Sequence, residues 1–354
     1  MRIALVDPAA FTVPYDHHLA AALAARGADV VLVTSRFRFG EIYAPQGYVR
    51  DERFYRLTGR IPGRSRLRLP LKAAEHAVDV VRLRGVRADV LHAQWAPLPQ
   101  LDVRLLPLSR PSVITAHDVL PRRTANRPEL WRRLYGRFDR VVVHSEHGRE
   151  RLIAEVGVPA ERIVVVPHPV FPAPVRREDD GRTVLFLGVL QPYKQLAHAV
   201  EATRTSGARL LVVGDPAMDV APWRDEPHVE WRLGYRTNEE VDQALAESTL
   251  AVFPYRQELD QSGALLRALG AGVPAVAYDV GGIAAPVRAF AAGAVVEPDD
   301  RSGLAAAVGR LLGDAAALAA ARAGAERCRE ELSWDAAAER HLALYEAITA
   351  ARGR

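Results

Sequence analysis

Short runs of uninterrupted apolar residues, separated by stretches of helical length, set the rhythm of this chain. Ile3 to Val6 is the first run. A helical stretch from His17 to Arg26 follows, then Gly27 and a second run, Val30 to Thr34. Runs this short with no polar alternation predict strands covered on both faces, as in a parallel sheet with helices on each side. The opening is therefore a βαβ unit. The same alternation recurs at Asp89-Val-Leu-His, Ser112-Val-Ile-Thr, Arg140-Val-Val-Val-His and Arg162-Ile-Val-Val-Val-Pro.

The rhythm breaks at Pro167, Pro169, Pro172 and Pro174, which lead into Arg176-Arg-Glu-Asp-Asp-Gly181. Neither a helix nor a central strand continues through so many prolines. A second series begins at Thr183-Val-Leu-Phe-Leu-Gly188 and runs through Arg209-Leu-Leu-Val-Val-Gly214, Leu250-Ala-Val-Phe-Pro254 and Pro274-Ala-Val-Ala-Tyr278. The pattern predicts one Rossmann-like domain over 1–172, a linker over 173–182 and a second Rossmann-like domain over 183–333. Residues 334–354 are expected to form a closing helix that packs back on the first domain. Two doubly wound α/β domains in tandem face each other across a central cleft, and open parallel sheets bind ligands at the carboxyl ends of their strands.

Composition sharpens this picture. At 354 residues and 49% hydrophobic, the chain has material for two cores of ordinary size. Its single cysteine, Cys328, excludes an intramolecular disulfide framework and a thiolate metal cluster, and favours a reducing compartment. The opening Met-Arg-Ile-Ala-Leu-Val-Asp meets an acid too early for a signal peptide, so a cytoplasmic location is expected. The apolar stretch from Leu304 to Arg322 carries Arg310 and Asp314, which predicts a packed surface helix rather than a membrane span. The net charge of +4 decides little. Its clustering says more: Arg50, Arg53, Arg56, Arg60, Arg64, Arg66, Arg68 and Lys72 are opposed only by Asp51 and Glu52. With only Phe54 and Tyr55 as aromatics nearby, this points to peripheral contact with an anionic membrane at its inner face rather than to nucleic acid.

Two segments carry candidate chemistry. In Phe186-Leu-Gly-Val-Leu-Gln-Pro-Tyr-Lys194 a strand ends at a glycine and delivers a lysine just before a helix beginning near Leu196. Ammonium and helix N-terminus both attract phosphate, which suits a diphosphate leaving group; a plain βα loop with a solvated lysine reads equally well. In Phe253-Pro-Tyr-Arg-Gln-Glu-Leu-Asp-Gln-Ser-Gly263 a carboxylate-bearing loop feeds a helix from Ala264 to Ala271. Gln261, Ser262 and Gly263 fit an N-cap with close backbone approach, Glu258 and Asp260 can accept from sugar hydroxyls, and Gly281 and Gly282 let a second loop come near; a simple turn and cap is the alternative.

Taken together and in order, these segments resemble the family 4 retaining glycosyltransferases of GT-B fold. The marks are the loop at 188 to 194, Pro-Tyr-Arg…Gln-Ser-Gly at 254 to 263, Ala-x-Gly-x-Pro at 270 to 274 with Asp-Val-Gly-Gly following, and Thr115-Ala-His-Asp118. The resemblance spans nearly the whole chain. It implies transfer of a sugar from a nucleotide-diphosphate sugar to an acceptor hydroxyl on a glycan, a small molecule or a lipid-linked carrier. Lys194 and the backbone near Ser262 to Ala264 would hold the diphosphate, with Gln191, Gln261 and Gly263 beside them. Glu258 would hold the transferred sugar, and His117 would face the reaction centre unless it is a structural histidine paired with Asp118. Tyr235 is a candidate for stacking on the base. Thr12, Tyr15, Asp16, His92 and Trp95 would line the acceptor side, Trp95 having a packing role as its alternative. No cofactor and no metal are expected, since no Asp-x-Asp ends a strand and Glu178-Asp-Asp180 falls in the linker.

Departures from the pattern are specific. Gln191 stands where an arginine is usual, Gln195 where a glycine follows the lysine, and Arg267 where a glutamate is credited with binding the ribose. Arg267 is read instead as a contact to a phosphate or an acidic sugar. These changes also raise the alternative of a catalytically impaired transferase that serves as a binding or partner protein.

Overall fold

The structure, a computed structural model, describes residues 1–37, 43–61, 68–173, 176–256 and 259–353. Glu258, Arg64 and Arg66 lie outside them. The strands, in chain order, are β1 (Arg2–Asp7), β2 (Asp29–Ser35), β3 (Val49–Phe54), β4 (Val90–Ala93), β5 (Ser112–Thr115), β6 (Arg140–Val143) and β7 (Ile163–Val165). After these come β8 (Thr183–Leu187), β9 (Arg209–Gly214), β10 (Val229–Leu233), β11 (Leu250–Phe253), β12 (Ala275–Tyr278) and β13 (Gly293–Val296). The helices open with α1 (Val13–Ala25), α2 (Arg68–Arg82), α3 (Pro99–Leu105), α4 (Pro128–Tyr135), α5 (Glu146–Arg151) and α6 (Leu196–Ser206). They close with α7 (Asn238–Ala246), α8 (Gly263–Gly270), α9 (Ala285–Phe290), α10 (Arg301–Gly313), α11 (Ala315–Glu331) and α12 (Trp334–Arg352).

Contacts divide the chain into two compact units, Met1–Pro167 with Trp334–Arg354, and His168–Ser333. Each is built on one parallel sheet. The first has strand order β3-β2-β1-β4-β5-β6-β7 and the second β10-β9-β8-β11-β12-β13. Both follow the doubly wound order that reverses direction beside the first strand, between β1 and β4 and again between β8 and β11. In the second sheet Leu185, Leu187, Leu211 and Val213 face one core layer, while Val184, Phe186, Leu210 and Val212 face the other. Helices cover both layers, which is why these strands read as unbroken apolar runs.

Several expectations are corrected. β3, β10 and β13 were not legible; each is an outermost strand of its sheet and is mostly only partly buried, so it lacks a continuous buried run. β3 carries the start of the arginine cluster, and part of that charge is spent internally. Arg53 pairs with Asp51, and Arg50 lies 3.4 Å from Glu52. α1 starts at Val13, ahead of His17, because Pro14 sits in its first turn, where a missing N–H costs nothing. The Leu304 to Arg322 stretch is two helices, broken where the Asp314 carboxylate accepts from the amides of Ala316 and Ala317 and caps α11. No single helix among the described residues is long and apolar enough to cross a membrane.

The segment expected as a linker belongs to the second unit, which already begins at His168. Asp179, with a side chain 6% exposed, accepts from Arg322 at 2.9 Å and from the Thr249 hydroxyl at 3.1 Å. Asp180 accepts from the Thr183 hydroxyl and amide. A buried Asp179 and a surface Asp180 that both meet partners in the second unit fix this backbone as part of the fold. The last helix, α12, packs on α1 within the first unit, where Arg26 forks onto Asp335 at 2.6 and 2.7 Å.

Candidate functional site

Each unit gathers polar side chains at the carboxyl ends of its central strands, beside the point where the strand order reverses. In the second unit β8 runs straight into Gly188, whose φ of +102° puts it in a region that side-chain-bearing residues rarely adopt. A Cβ there would stand 2.8 Å from the Lys194 ammonium and 3.6 Å from the Ala264 Cβ. Lys194 therefore folds back over the strand end, against the start of α8. Its Nζ donates to the Leu187 carbonyl at 3.3 Å and lies 5.3 Å from the centre of the Tyr255 ring. Only 6% of Lys194 is exposed, and among the described residues no carboxylate forms an ion pair with it. Burial pushes its ammonium down to about 8. A buried cation with no anion among the described residues stores a desolvation cost that an anionic ligand relieves.

The neighbouring helix adds to the same potential. Ser262 caps α8, its hydroxyl accepting from the Leu265 amide at 3.4 Å and lying 3.5 Å from the Tyr255 hydroxyl. The first amides of α8 have no carbonyl behind them and carry the positive end of the helix dipole. Gly263 is exposed, so a ligand can approach the backbone there. The Gln191 carbonyl accepts from the Lys194 amide and closes the turn. Gln195, in the glycine position, keeps the left-handed geometry at φ +54° and donates to Asp299 at 2.6 Å.

Arg267 is turned to another task. Its guanidinium donates to Asp242 at 2.8 Å and to the side chain and carbonyl of Asn238, at 2.8 and 2.9 Å. It clamps α8 to α7 and has its donors committed there rather than held out for a phosphate. Tyr235 is 63% exposed just past the end of β10, and Gln261 is half-buried beside the cap.

In the first unit the centre is His117, just beyond β5. Its Nδ1 lies 3.2 Å from His144 Nε2, and its Nε2 lies 3.0 Å from the Gln94 side chain. Trp95 stacks on it at 5.4 Å and the Tyr15 ring meets it edge-on at 4.7 Å. The Val166 carbonyl can only accept, so His144 Nδ1 carries a proton toward it, and in a neutral His144 the Nε2 accepts from His117 Nδ1. A neutral His117 then has its lone pair on Nε2, facing Gln94. Turning the Gln94 amide over lets it donate there and removes the partnerless buried Nε2 it otherwise has.

Supporting this layer is a buried carboxyl pair. Asp7 holds the loop after β1 by accepting from the amides of Ala9, Phe11 and Thr12. Asp16 is hydrogen-bonded to Asp7; burial, then the Asp7 charge, holds its carboxyl well above the usual range. Thr12 lies 3.4 Å from Asp16 and accepts from the Trp95 indole at 3.0 Å. Thr12 and Trp95 thus reach the surface, whereas Tyr15 and Asp16 are buried beneath them. His92 is not an acceptor contact. It is wholly buried, its nitrogens 2.6 Å from the Tyr345 hydroxyl and 2.7 Å from that of Thr115.

Two family models account for most of the chain: Glycosyltransferase Family 4 matches residues 15–173 and Glycosyl transferases group 1 matches residues 181–314. The chain belongs to the family 4 glycosyltransferases. Its fold is GT-B, two Rossmann-like units. A sucrose-phosphate synthase from Thermosynechococcus elongatus superposes with a TM-score of 0.77 at 20% identity, over 99% of this chain and 100% of that one. HepE from Anabaena, solved with UDP and glucose, gives 0.71 at 16%, over 98% and 100%. An exopolysaccharide phosphotransferase from Streptomyces coelicolor is 26% identical over 283 residues. That match takes in 68% of this chain but only 30% of the phosphotransferase.

In this glycosyltransferase, sequence reasoning missed His144, Gln94, Asp7 and Tyr255. His144 carried a signal, since it closes the run Arg140-Val-Val-Val-His just as His117 follows the adjacent strand. Tyr255 carried none, because an aromatic after a buried strand reads as core.

Proposed function

We propose that this glycosyltransferase takes its sugar from a nucleoside diphosphate sugar, retains the configuration at the transferred carbon and needs neither a divalent metal nor a cofactor. The observation that carries the reading is Lys194, a buried ammonium set against Gly188 and the start of α8. As the bond from the anomeric carbon to phosphate breaks, its electron pair goes to the diphosphate. Lys194 and the α8 amides meet that charge, a term of roughly 3 to 4 kcal/mol per well-placed donor. The acceptor oxygen bonds to the same face of the sugar, and its proton passes to the departing phosphate oxygen. Glu258 holds the transferred sugar, Gln261 and Ser262 line the diphosphate, Tyr235 stacks on the base, and His117 touches the sugar or the acceptor. The Anabaena relative solved with UDP and glucose makes UDP-glucose the first donor to try.

The test is donor hydrolysis followed by NMR, with and without EDTA. Release of the sugar in its original anomeric form, at a rate EDTA leaves alone, supports the reading. Inversion, or a rate that EDTA abolishes, removes it.

The reaction runs at the cytoplasmic face of an anionic membrane in this reading. Besides Arg64, Arg66 and Arg68, it rests on Leu69 and Leu71, 76% and 49% exposed on α2. Glutamine at all three arginines should abolish pelleting with phosphatidylglycerol vesicles; undiminished pelleting would remove the membrane from the account.

A further inference from the structure

Gln195 joins Lys194 to α6, and the donor chemistry gives its side chain no task. Its φ of +54° and ψ of 53° are left-handed, a conformation that glycine adopts freely and glutamine only at a cost. A residue stays there when its surroundings hold it. Here the side-chain amide donates to the Asp299 carboxylate at 2.6 Å, across 104 positions of sequence. Asp299 stands on the loop from β13 to α10 and is itself left-handed, at φ +61°. That loop is anchored by its next residue: the Asp300 carboxylate caps α10, accepting from the Gly303 amide at 2.9 Å and from the Ser302 hydroxyl at 2.8 Å. Two left-handed residues from distant loops thus meet through one hydrogen bond.

The bond heads a row that continues along one side of α6. His198 and Glu201 follow Gln195 at three-residue steps, which a helix brings to neighbouring surface. The His198 Nδ1 lies 3.0 Å from the Tyr278 hydroxyl at the end of β12, and both side chains are buried. Glu201 accepts from Arg301, the first residue of α10, at 3.2 Å; this pair is exposed and holds α6 only weakly. Gln195, His198 and Glu201 therefore fasten the start of α6 to β12 and α10. On the other side the turn is closed by the Lys194 amide, which donates to the Gln191 carbonyl at 3.0 Å, and by the Gln195 amide, which donates to that of Pro192 at 3.2 Å. Between these two anchors the Lys194 side chain runs back over Gly188 to the Leu187 carbonyl.

We propose that Gln195 is a positioning residue of the donor site: its hydrogen bond to Asp299 keeps residue 195 left-handed, and so keeps the Lys194 ammonium folded over Gly188 against the start of α8. Gln195 touches no substrate in this role and acts through Lys194. The glutamine then does by a tether what a glycine at this position leaves to a freely turning backbone. The proposal rests on the donor reading, because it takes Lys194 to be the group that meets the diphosphate.

The chain has only two lysines, Lys72 and Lys194, so protein labelled with carbon-13 at the lysine ε-carbons gives two side-chain signals by NMR, and Lys194→Met identifies which is which. Titrating the Lys194 signal reports how its ammonium is housed, and calorimetry with UDP reports the donor site. Asp299→Gly removes the acceptor from an exposed position and suits the left-handed backbone, Gln195→Met removes the donor at similar length, and Asp299→Asn keeps an oxygen in place. We expect a wild-type midpoint of about 8, against 10.5 in water. It should rise toward 10.5 in Asp299→Gly and Gln195→Met, with UDP bound about tenfold more weakly, as loss of a contact to a charged group gives. Asp299→Asn should keep both wild-type values. A midpoint unmoved in either tether variant that folds overturns the proposal, even if the melting temperature falls, since the bond would then be structural only. So does a wild-type midpoint already at 10.5, or an Asp299→Asn that behaves as Asp299→Gly. Should Gln195→Met misfold, Asp299→Gly decides alone. If the wild type binds no UDP, the donor reading falls while the Lys194 midpoint still judges the tether. A midpoint that rises with UDP binding undiminished would take Lys194 out of the donor site, and the proposal with it.

Discussion

Asp16 and Lys194 show how the site is held at a cost. The Asp16 carboxyl keeps its proton in the folded protein well above its ordinary value of 3.8, because it is buried and faces Asp7. Its contribution to stability is therefore fully present below about pH 3.8 and is lost as pH rises toward the folded value. Asp16→Asn cannot ionise, so it should melt above wild type at pH 7 and converge on it near pH 4; equal offsets at both pH values would rule out this titration. Lys194 has the opposite sign. Its folded value of about 8 against 10.5 when solvated means that roughly 3 kcal/mol of stability is forgone at pH 7. Lys194→Met should accordingly raise the melting temperature at pH 7 while it impairs transfer. A lower melting temperature would mean that the ammonium is already well paired.

At the scale of elements, the α7–α8 pair decides what Arg267 does. With its guanidinium on Asn238 and Asp242, Arg267→Ala should cost about 1 kcal/mol of stability and change the donor KM by less than about twofold. A large rise in KM with unaltered stability would return Arg267 to the donor site. The pattern of the chain gave away the central strands and the helix behind Lys194, because both depend on local runs and on strand-end glycines. Three edge strands, β3, β10 and β13, stayed hidden; in β3, Val-Arg-Asp-Glu-Arg-Phe, only Phe54 is fully buried, whereas the edge strand β7 kept a legible apolar run. His92 misled for a related reason: a polar residue at the end of a buried strand reads as a ligand, and only the return of Tyr345 on α12 shows it to be core. Partners hundreds of residues apart leave no local trace. Arg267 misled likewise, because a charge in a motif position says nothing about which way it turns.

The molecule as a whole is two Rossmann-like units, one of them closed by the far end of the chain. Trp334, Ala338, His341, Tyr345 and Ile348 are buried on α12, and Arg26 anchors its first turn. A chain ending at Ser333 should therefore lose hydrogen-exchange protection across β1, β4 and α1 and keep it across β8, β9 and β11. Uniform protection in that truncated chain would show that α12 only decorates the first unit. The central claim, that Lys194 and the start of α8 bind the diphosphate of a sugar donor, meets its most direct test in a thermal-shift titration with UDP on wild type and Lys194→Met. The account predicts a rise of melting temperature in wild type, about 2.7 kcal/mol of added stability at a hundred times the dissociation constant. It also predicts that the rise is gone in the variant and weakens in wild type above about pH 8, as the ammonium loses its proton. An equal shift in both proteins would contradict it and move the donor site away from Lys194.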